Sequence, residues 1–448
     1  MCLKSDSYTD YYTTCALSTE KGMNFIMHTK TKVFAGHILM VFCFFIYMGT
    51  VGLAGYGNPV LTTRIVLMNE WEQSVIGNST SMFQLGQAIG LMALAPFYNK
   101  VGAKKCLITG ISVSILAYLI QIFIQPVGFV YSLMFIGCGI GAGSGLLCCP
   151  ALMNNWFTRR KSFPISVVRT AGTVGGTLMP LLANKMITVG PQAAWTAFLI
   201  VNVVALVLSI LFIKQDPSDI GEIPDSRAWV EKHPLPAVEA VKAEVAEEKR
   251  DDKAEAKKAY TSRQFITLSC ITCIHRFMLF SFTTFAMVYV IQKGIAEDRA
   301  AYMISIYSLL GSFGRLLTAG SDLVPLQKKT QLAGTLLIMC GGFCLLIVGN
   351  AEPIFLLSAA SIGLFNGFYS SLFPIAVADF FEKRAFAVMY STLNVIGSIA
   401  GIVVPMLVSA IYGAVNTYNV PFGIAIFFLI IGCVMTLTIK PSSQKVAE

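Results

Sequence analysis

The feature that most constrains this chain is the length of its apolar runs. Val33 to Gly55, Cys106 to Ile124, Ala194 to Ile213, Phe265 to Ile291 and Pro421 to Ile439 are each close to 20 residues or longer. A helix of about 20 residues, rising about 1.5 Å per residue, crosses the hydrocarbon core of a bilayer. Charged residues make up only 13% of the 448 and hydrophobic ones 55%, against about 25% charged in soluble domains. A soluble protein of this size needs more polar surface to face water. The fold class is therefore an all-α polytopic membrane protein.

Reading spans at about 20 residues predicts twelve transmembrane helices, near 33–55, 75–97, 106–125, 130–153, 163–188, 194–214, 265–291, 299–319, 331–349, 353–378, 386–412 and 419–439. They form two six-helix, pseudo-symmetric halves. The expected layout is a tail (1–32), an N-terminal half (33–214), a charged linker (215–262), a C-terminal half (263–440) and a second tail (441–448). The linker carries "AVEAVKAEVAEEKRDDKAEAKKAY", a solvated, charge-rich stretch. The polar first thirty residues are no cleavable signal peptide, and Met23 and Met27 are alternative starts.

Lysine and arginine set the orientation. Lys30, Lys32, Lys100, Lys104, Lys105, Arg159, Arg160, Lys161, Lys328, Lys329, Lys383, Arg384, Lys440 and Lys445 fall on one side with the linker. By the positive-inside rule that side is cytoplasmic, with both termini. These loops account for the net charge of +9 without a nucleic-acid partner. The expected setting is multi-pass, in the plasma (bacterial inner) membrane, as a monomer among lipids.

The enzyme readings fail one by one. Gly137-Cys138-Gly139-Ile140-Gly141-Ala142 spells a dinucleotide fingerprint. A true one needs a preceding strand and an acidic residue about 20 positions on. Here the run is one apolar span, and the basic stretch Arg159 to Lys161 stands at that distance. Small residues that let helices approach closely explain it better. Cys270-Ile-Thr-Cys273-Ile-His275 misses the c-type haem spacing, which needs His directly after the second Cys. Most of the twelve cysteines read as small hydrophobes within spans. No nucleophile–base set and no metal constellation is visible, so an enzyme, a metal and a cofactor are not expected.

An internal repeat supports the two halves. "NWFTRRKSFPI" follows the fourth span and "DFFEKRAFAV" the tenth, about half the chain apart. Two similar halves around a central loop imply a carrier with its site between them. With the loop Asn99, Lys100, Gly102, Lys104 and Lys105, the chain resembles the major facilitator superfamily. Asn99 stands where that family usually has Asp, and Ala95 where it has Gly. Three further features resemble the branch of oxalate/formate antiporters and monocarboxylate transporters. These are "NWFTRRKS", "DPSDIGEIPD", and Gly314-Arg315-Leu316 followed by Ser321-Asp322. The resemblance implies alternating access, with the loop motif and Asp322 in gating and Arg315 on a substrate carboxylate. The branch's lysine in the eleventh span is missing; Leu393 or Asn394 aligns there, which counts against oxalate itself.

The charges inside the spans narrow the substrate. No Asp or Glu falls well inside a predicted span, while Arg169, Arg276 and Arg315 do. A charge in hydrocarbon costs at least a few kcal/mol and needs a cavity or partner. With no embedded carboxylate, the partner is an anionic substrate. Arg169 reads as snorkelling to the headgroups. Arg276 reads either as packed against helix-end carbonyls or as a second cation. His275 reads either as a structural hydrogen-bonding residue or as a titrating one, and His37 likewise. Arg315 suits a carboxylate because its fork donates two parallel bonds. Tyr47, Tyr56 and Tyr369 would wall a small planar acid, and Gln84 and Gln87 would add polar reach.

The expected function is secondary active transport, antiport or symport, of small mono- or dicarboxylates, with a counter-anion or proton as coupling partner. The alternatives are an efflux carrier for lipophilic cations, which normally wants an embedded acid, and a membrane sensor that transports nothing.

Overall fold

The structure is a computed structural model that describes residues 34–125, 127–157, 162–215, 217, 260, 262–318, 326–380 and 383–439. The described elements are helical. Nearly all of the linker, both tails and Asp322 lie outside the described residues.

The first helix, α1 (Ala35–Met68), outruns its predicted end near residue 55. Its middle, Met48–Gly57, winds as a π-helix. It continues past the apolar run because its polar residues find partners inside the N-terminal half. Tyr118 Oη donates to Asn58 Oδ1 at 3.2 Å, and Thr62 Oγ1 meets Tyr131 Oη at 3.1 Å. A satisfied polar group costs little to bury.

The run Ser74–Phe123 breaks at Gly102, where φ is 84° and ψ 170°, into α2 (74–101) and α3 (103–123). That positive φ favours glycine, which gives Gly102 of the loop motif its role. Next come α4 (Gly128–Trp156), α5 (Ser162–Ile187) and α6 (Pro191–Phe212). The second half holds α7 (Arg263–Gln292), α8 (Glu297–Leu317), α9 (Lys328–Val348), α10 (Glu352–Phe380), α11 (Lys383–Val415) and α12 (Asn419–Thr438). Among the described residues, 11 of these helical runs are long and apolar enough to cross a membrane. The twelfth, α2, is more polar, with Asn78, Ser79, Thr80, Ser81, Gln84 and Gln87.

Glycines set the closest approaches. A Cβ at Gly139 of α4 would strike the backbone of Phe83 and Gln87 on α2, and one at Gly143 the Gln87 carbonyl. The apparent nucleotide fingerprint is therefore a helix crossing. The second half repeats the device: Cβ atoms at Gly363 and Gly367 of α10 would strike Tyr307 and Gly311 of α8. Thus α2 on α4 corresponds to α8 on α10, as the internal repeat predicts.

The halves meet chiefly along α5 with α8 and α2 with α11. Polar ties between them gather away from the end rich in lysine. Arg64 on α1 pairs with Glu297 at 2.6 Å and donates to Asn184 Oδ1 at 2.8 Å. Asn184 Nδ2 donates in turn to the Asp298 carbonyl at 3.2 Å. Tyr418 Oη donates to Gln73 Oε1 at 3.3 Å. At mid-depth, Ser308 Oγ donates to the Thr173 carbonyl at 2.9 Å.

Gly139→Val should lower the midpoint of thermal unfolding by the equivalent of about 1–3 kcal/mol, the cost of overpacking. Gly334→Val, which faces open space, is the control. Melting of the purified variants checks this, and equal midpoints would refute the crossing argument.

Candidate functional site

Between the halves lies a cavity of about 600 Å³. It runs from Asn58 and Thr62 on α1 to Leu91, Arg169 and Asn394 toward the lysine-rich end. Its cations are Arg169 on α5, Arg276 on α7 and Arg315 on α8; among the described residues no Asp or Glu lines it. His275, Tyr56, Tyr369, Gln84 and Gln87 also line it. Of the residues singled out from the sequence, Tyr47 stands apart. It is 5% exposed and packs behind the lining, its ring against Gly172. The correction has a simple cause: Tyr47 and Tyr56 lie on different faces of α1.

Arg315 is loosely held. Its Nε donates to Ser370 Oγ at 3.4 Å and its Nη1 to Thr173 Oγ1 of the other half at 3.4 Å. Both bonds are long and end on uncharged hydroxyls, weaker than a bidentate pair with an anion. Arg276 lies across α11 at Gly397, where a Cβ would sit 2.8 Å from its Nε. Leu393 and Asn394, which align with the missing lysine, line the same wall. Arg169, expected at the headgroups, opens into the cavity instead.

His275 is held by a chain of bonds. Asn366 Nδ2 donates to Tyr307 Oη at 2.8 Å, so Asn366 Oδ1 accepts from His275 Nε2 at 2.8 Å. That places a hydrogen on Nε2. The imidazole stacks on Tyr369 at 4.0 Å, and Tyr369 stacks on Phe373 at 5.5 Å. This ladder belongs to the C-terminal half, and Phe83, Phe135 and Phe280 also line the cavity.

Two polar groups escaped the sequence reading. Asn58 Nδ2 and Thr284 Oγ1 are buried, line the cavity and have no hydrogen-bond partner among the described residues. Tyr118 occupies Asn58 Oδ1, which turns the amide NH2 elsewhere. No motif marks either residue; only the fold aims them.

The loop motif is partly placed. Lys104 Nζ donates to the Ile210 carbonyl at the end of α6, at 2.6 Å, and the Lys105 carbonyl accepts from Thr109 at 2.9 Å. The side chains of Asn99 and Lys100, and all of Asp322, lie outside what is described.

A family model, the Major Facilitator Superfamily, matches residues 33–349. The chain belongs to the Major Facilitator Superfamily. It is accordingly a multi-pass integral membrane protein of a transporter family, not of an enzyme family. Among curated relatives, the gallate transporter of Pseudomonas putida is 23% identical over 373 residues, 75% of this chain and 78% of that protein. An MFS-type transporter of Gibberella moniliformis is 21% identical over 276 residues, 59% of this chain and 57% of that protein's length. Among solved structures, a bacterial homologue of the human lysosomal transporter Spinster, inward-facing and unoccupied, matches with a TM-score of 0.69. It is 13% identical and covers 91% of this chain and 97% of its own, a likeness of fold.

Asn366→Ala should cost about 1–3 kcal/mol in stability, since it strands His275 and Tyr307 together. In combination with His275→Phe the losses should fall short of additive. A double-mutant cycle on purified protein measures this; full additivity would mean the chain is not coupled.

Proposed function

We propose that this protein is a secondary carrier for small organic anions, working by alternating access. The observation that carries the reading is the cavity lining: three arginines and no carboxylate. A cation substrate would meet only repulsion there, which argues against the lipophilic-cation alternative. Nothing in the lining suggests a membrane sensor.

Within mono- and dicarboxylates, the lining favours a hydroxylated aromatic monocarboxylate. Arg315 would take the carboxylate through its fork. The ladder of His275, Tyr369 and Phe373 would stack the ring. Asn58 Nδ2 and Thr284 Oγ1 would donate to or share hydrogens with ring hydroxyls, relieving two buried groups that otherwise cost about 1–3 kcal/mol each. The gallate transporter among the relatives supports this substrate class. Arg276, beside Asn394, would hold the second charge of a dicarboxylate. The lysine-rich end would be cytoplasmic, in a bacterial inner membrane, and the ties around Arg64 would close the outer end. The loop motif would act in gating.

Counterflow in proteoliposomes against benzoate, 3,4,5-trihydroxybenzoate, lactate and oxalate tests the assignment. Trihydroxybenzoate should exchange fastest; no uptake of any acid would overturn the reading. Arg315→Ala should bind the preferred acid about 30- to several-thousand-fold more weakly, for a loss of about 2–5 kcal/mol. Arg315→Lys should recover little, because a point charge does not reproduce the planar fork. Calorimetry on folded variants measures both; unchanged affinity in Arg315→Ala would move the site elsewhere. For orientation, a cysteine at the exposed Val189 should react with an impermeant thiol reagent added outside intact cells. Protection there would invert the topology.

A further inference from the structure

Four prolines interrupt helices that wall the cavity: Pro150 in α4, Pro180 in α5, Pro374 in α10 and Pro405 in α11. They follow the internal repeat. Pro150 and Pro374 each stand five residues before the start of a repeated basic motif, at Asn155 and Asp379, and Pro180 and Pro405 sit on the helix that follows. A proline has no N–H, so the carbonyl four residues back loses its helical donor. The four carbonyls are those of Leu146, Gly176, Ser370 and Gly401. Gly176 is covered, since a Cβ there would strike Ser308 and Tyr56. Leu146, Ser370 and Gly401 line the cavity.

Gly401 is set apart by its neighbours. A Cβ at Gly397 would sit 2.8 Å from Arg276 Nε, and one at Gly401 2.8 Å from Phe280 Cε2. The matching steps of four residues show α7 and α11 running side by side in the same direction. One further turn along α7 is Thr284, which therefore stands at the level of Pro405. A helical carbonyl points toward the residue four positions on, so the Gly401 carbonyl points to that same level. Thr284 is 2% exposed and lines the cavity, and its Oγ1 has no hydrogen-bond partner among the described residues. Gln84 Nε2 of the other half lies 3.7 Å from the Gly401 Cβ position. A carbonyl without its helical donor and a hydroxyl without a partner thus share one corner of the cavity.

We propose that the Gly401 carbonyl, released by Pro405, and Thr284 Oγ1 form a hydroxyl-reading subsite, which makes the carrier select hydroxylated carboxylates over bare ones. This rests on the anion-carrier reading above. The arginines and Asn58 Nδ2 only donate hydrogen bonds. They hold a carboxylate and the lone pairs of a hydroxyl, and leave the hydroxyl's own hydrogen without an acceptor. The Gly401 carbonyl supplies that acceptor, and Thr284 Oγ1 donates to the same hydroxyl oxygen. A fluorine or a bare C–H in that place donates nothing and leaves the carbonyl unpaired. A site built to bond a hydroxyl rejects the analogue that lacks one far more strongly than an apolar pocket rejects a change of size. Pro405 is a positioning residue: it acts by withholding an N–H, not by touching the substrate.

The test measures binding to the purified full chain by calorimetry, with 3,4,5-trihydroxybenzoate and 3,4,5-trifluorobenzoate as probes. The parent should bind the trihydroxy acid at least about tenfold more tightly. Pro405→Ala returns an N–H to the Gly401 carbonyl and should bring the two affinities within about threefold, by weakening the trihydroxy acid alone. Thr284→Val should narrow the ratio in the same way, and Thr284→Ser should keep it. Pro180→Ala, the matched change on α5 beside a covered carbonyl, should also keep it. A proline needed only for the shape of α11 would weaken both acids equally; that result, or a parent ratio kept by Thr284→Val, overturns the subsite. Equal binding of the two acids by the parent overturns it too, whether or not any variant folds. In each of these cases counterflow of trihydroxybenzoate leaves the carrier reading standing. If neither benzoate binds while lactate or oxalate is exchanged, the aromatic assignment and the subsite fall together and the carrier remains. If no acid binds or moves, the carrier reading falls and the subsite with it.

Discussion

Hydrocarbon offers no hydrogen bond to a peptide group, and the rest of this molecule follows from that. Each crossing segment must satisfy its own backbone, so the chain crosses as helices. Apolar side chains gain nothing by leaving lipid for one another, so helices must instead be held by close contact. Glycines supply it: Gly139 and Gly143 of α4 against α2, Gly363 and Gly367 of α10 against α8, each where a Cβ would collide with opposing backbone. The same solvent makes a bare charge costly. It confines Arg169, Arg276 and Arg315 to the cavity between the halves, where water or an ion can reach them.

Run length made the fold legible, because bilayer thickness fixes how long an apolar helix must be. The repeated basic motifs after α4 and α10 revealed the two halves before any packing was known. What remained hidden was azimuth. A helix apolar on every side gives no sequence sign of which face turns inward. Tyr47 and Tyr56 look equivalent on α1, yet one packs behind Gly172 and the other lines the cavity. Arg169 looked close enough to the helix start to snorkel, and only the position of α8 shows that it faces inward. The end of α1 was missed for another reason. Asn58 and Thr62 lower the apolar average, while their burial against Tyr118 and Tyr131 is a long-range fact.

The distribution of polar contacts divides the interface between the halves by depth. The Arg64–Glu297 pair, with side chains 12% and 38% exposed, belongs to a network that also includes Asn184 and Asp298. An isolated, exposed pair of this kind contributes little. Tied to three helices and partly withdrawn from water, this one has fewer conformations left to lose. It fastens α1 and α5 to the start of α8. Toward the lysine-rich end the contact turns looser, as in the 3.4 Å bond from Arg315 to Thr173. One end of the interface is latched by opposite charges while the other faces two like charges.

That asymmetry bears on how an anion would drive such a carrier. A ligand shifts a conformational equilibrium only by the difference in its affinity for the two states. A carboxylate bound to Arg315 alone, inside one half, would bind both states about equally and shift nothing. A carboxylate placed between cations of the two halves would gain its second partner only when the halves approach. Its extra affinity is then for the closed state. A neutral analogue of the same shape would fill the cavity without that difference, and would leave the equilibrium where it was. The number of halves a substrate's charge touches, more than how tightly it is held, decides whether binding moves the protein.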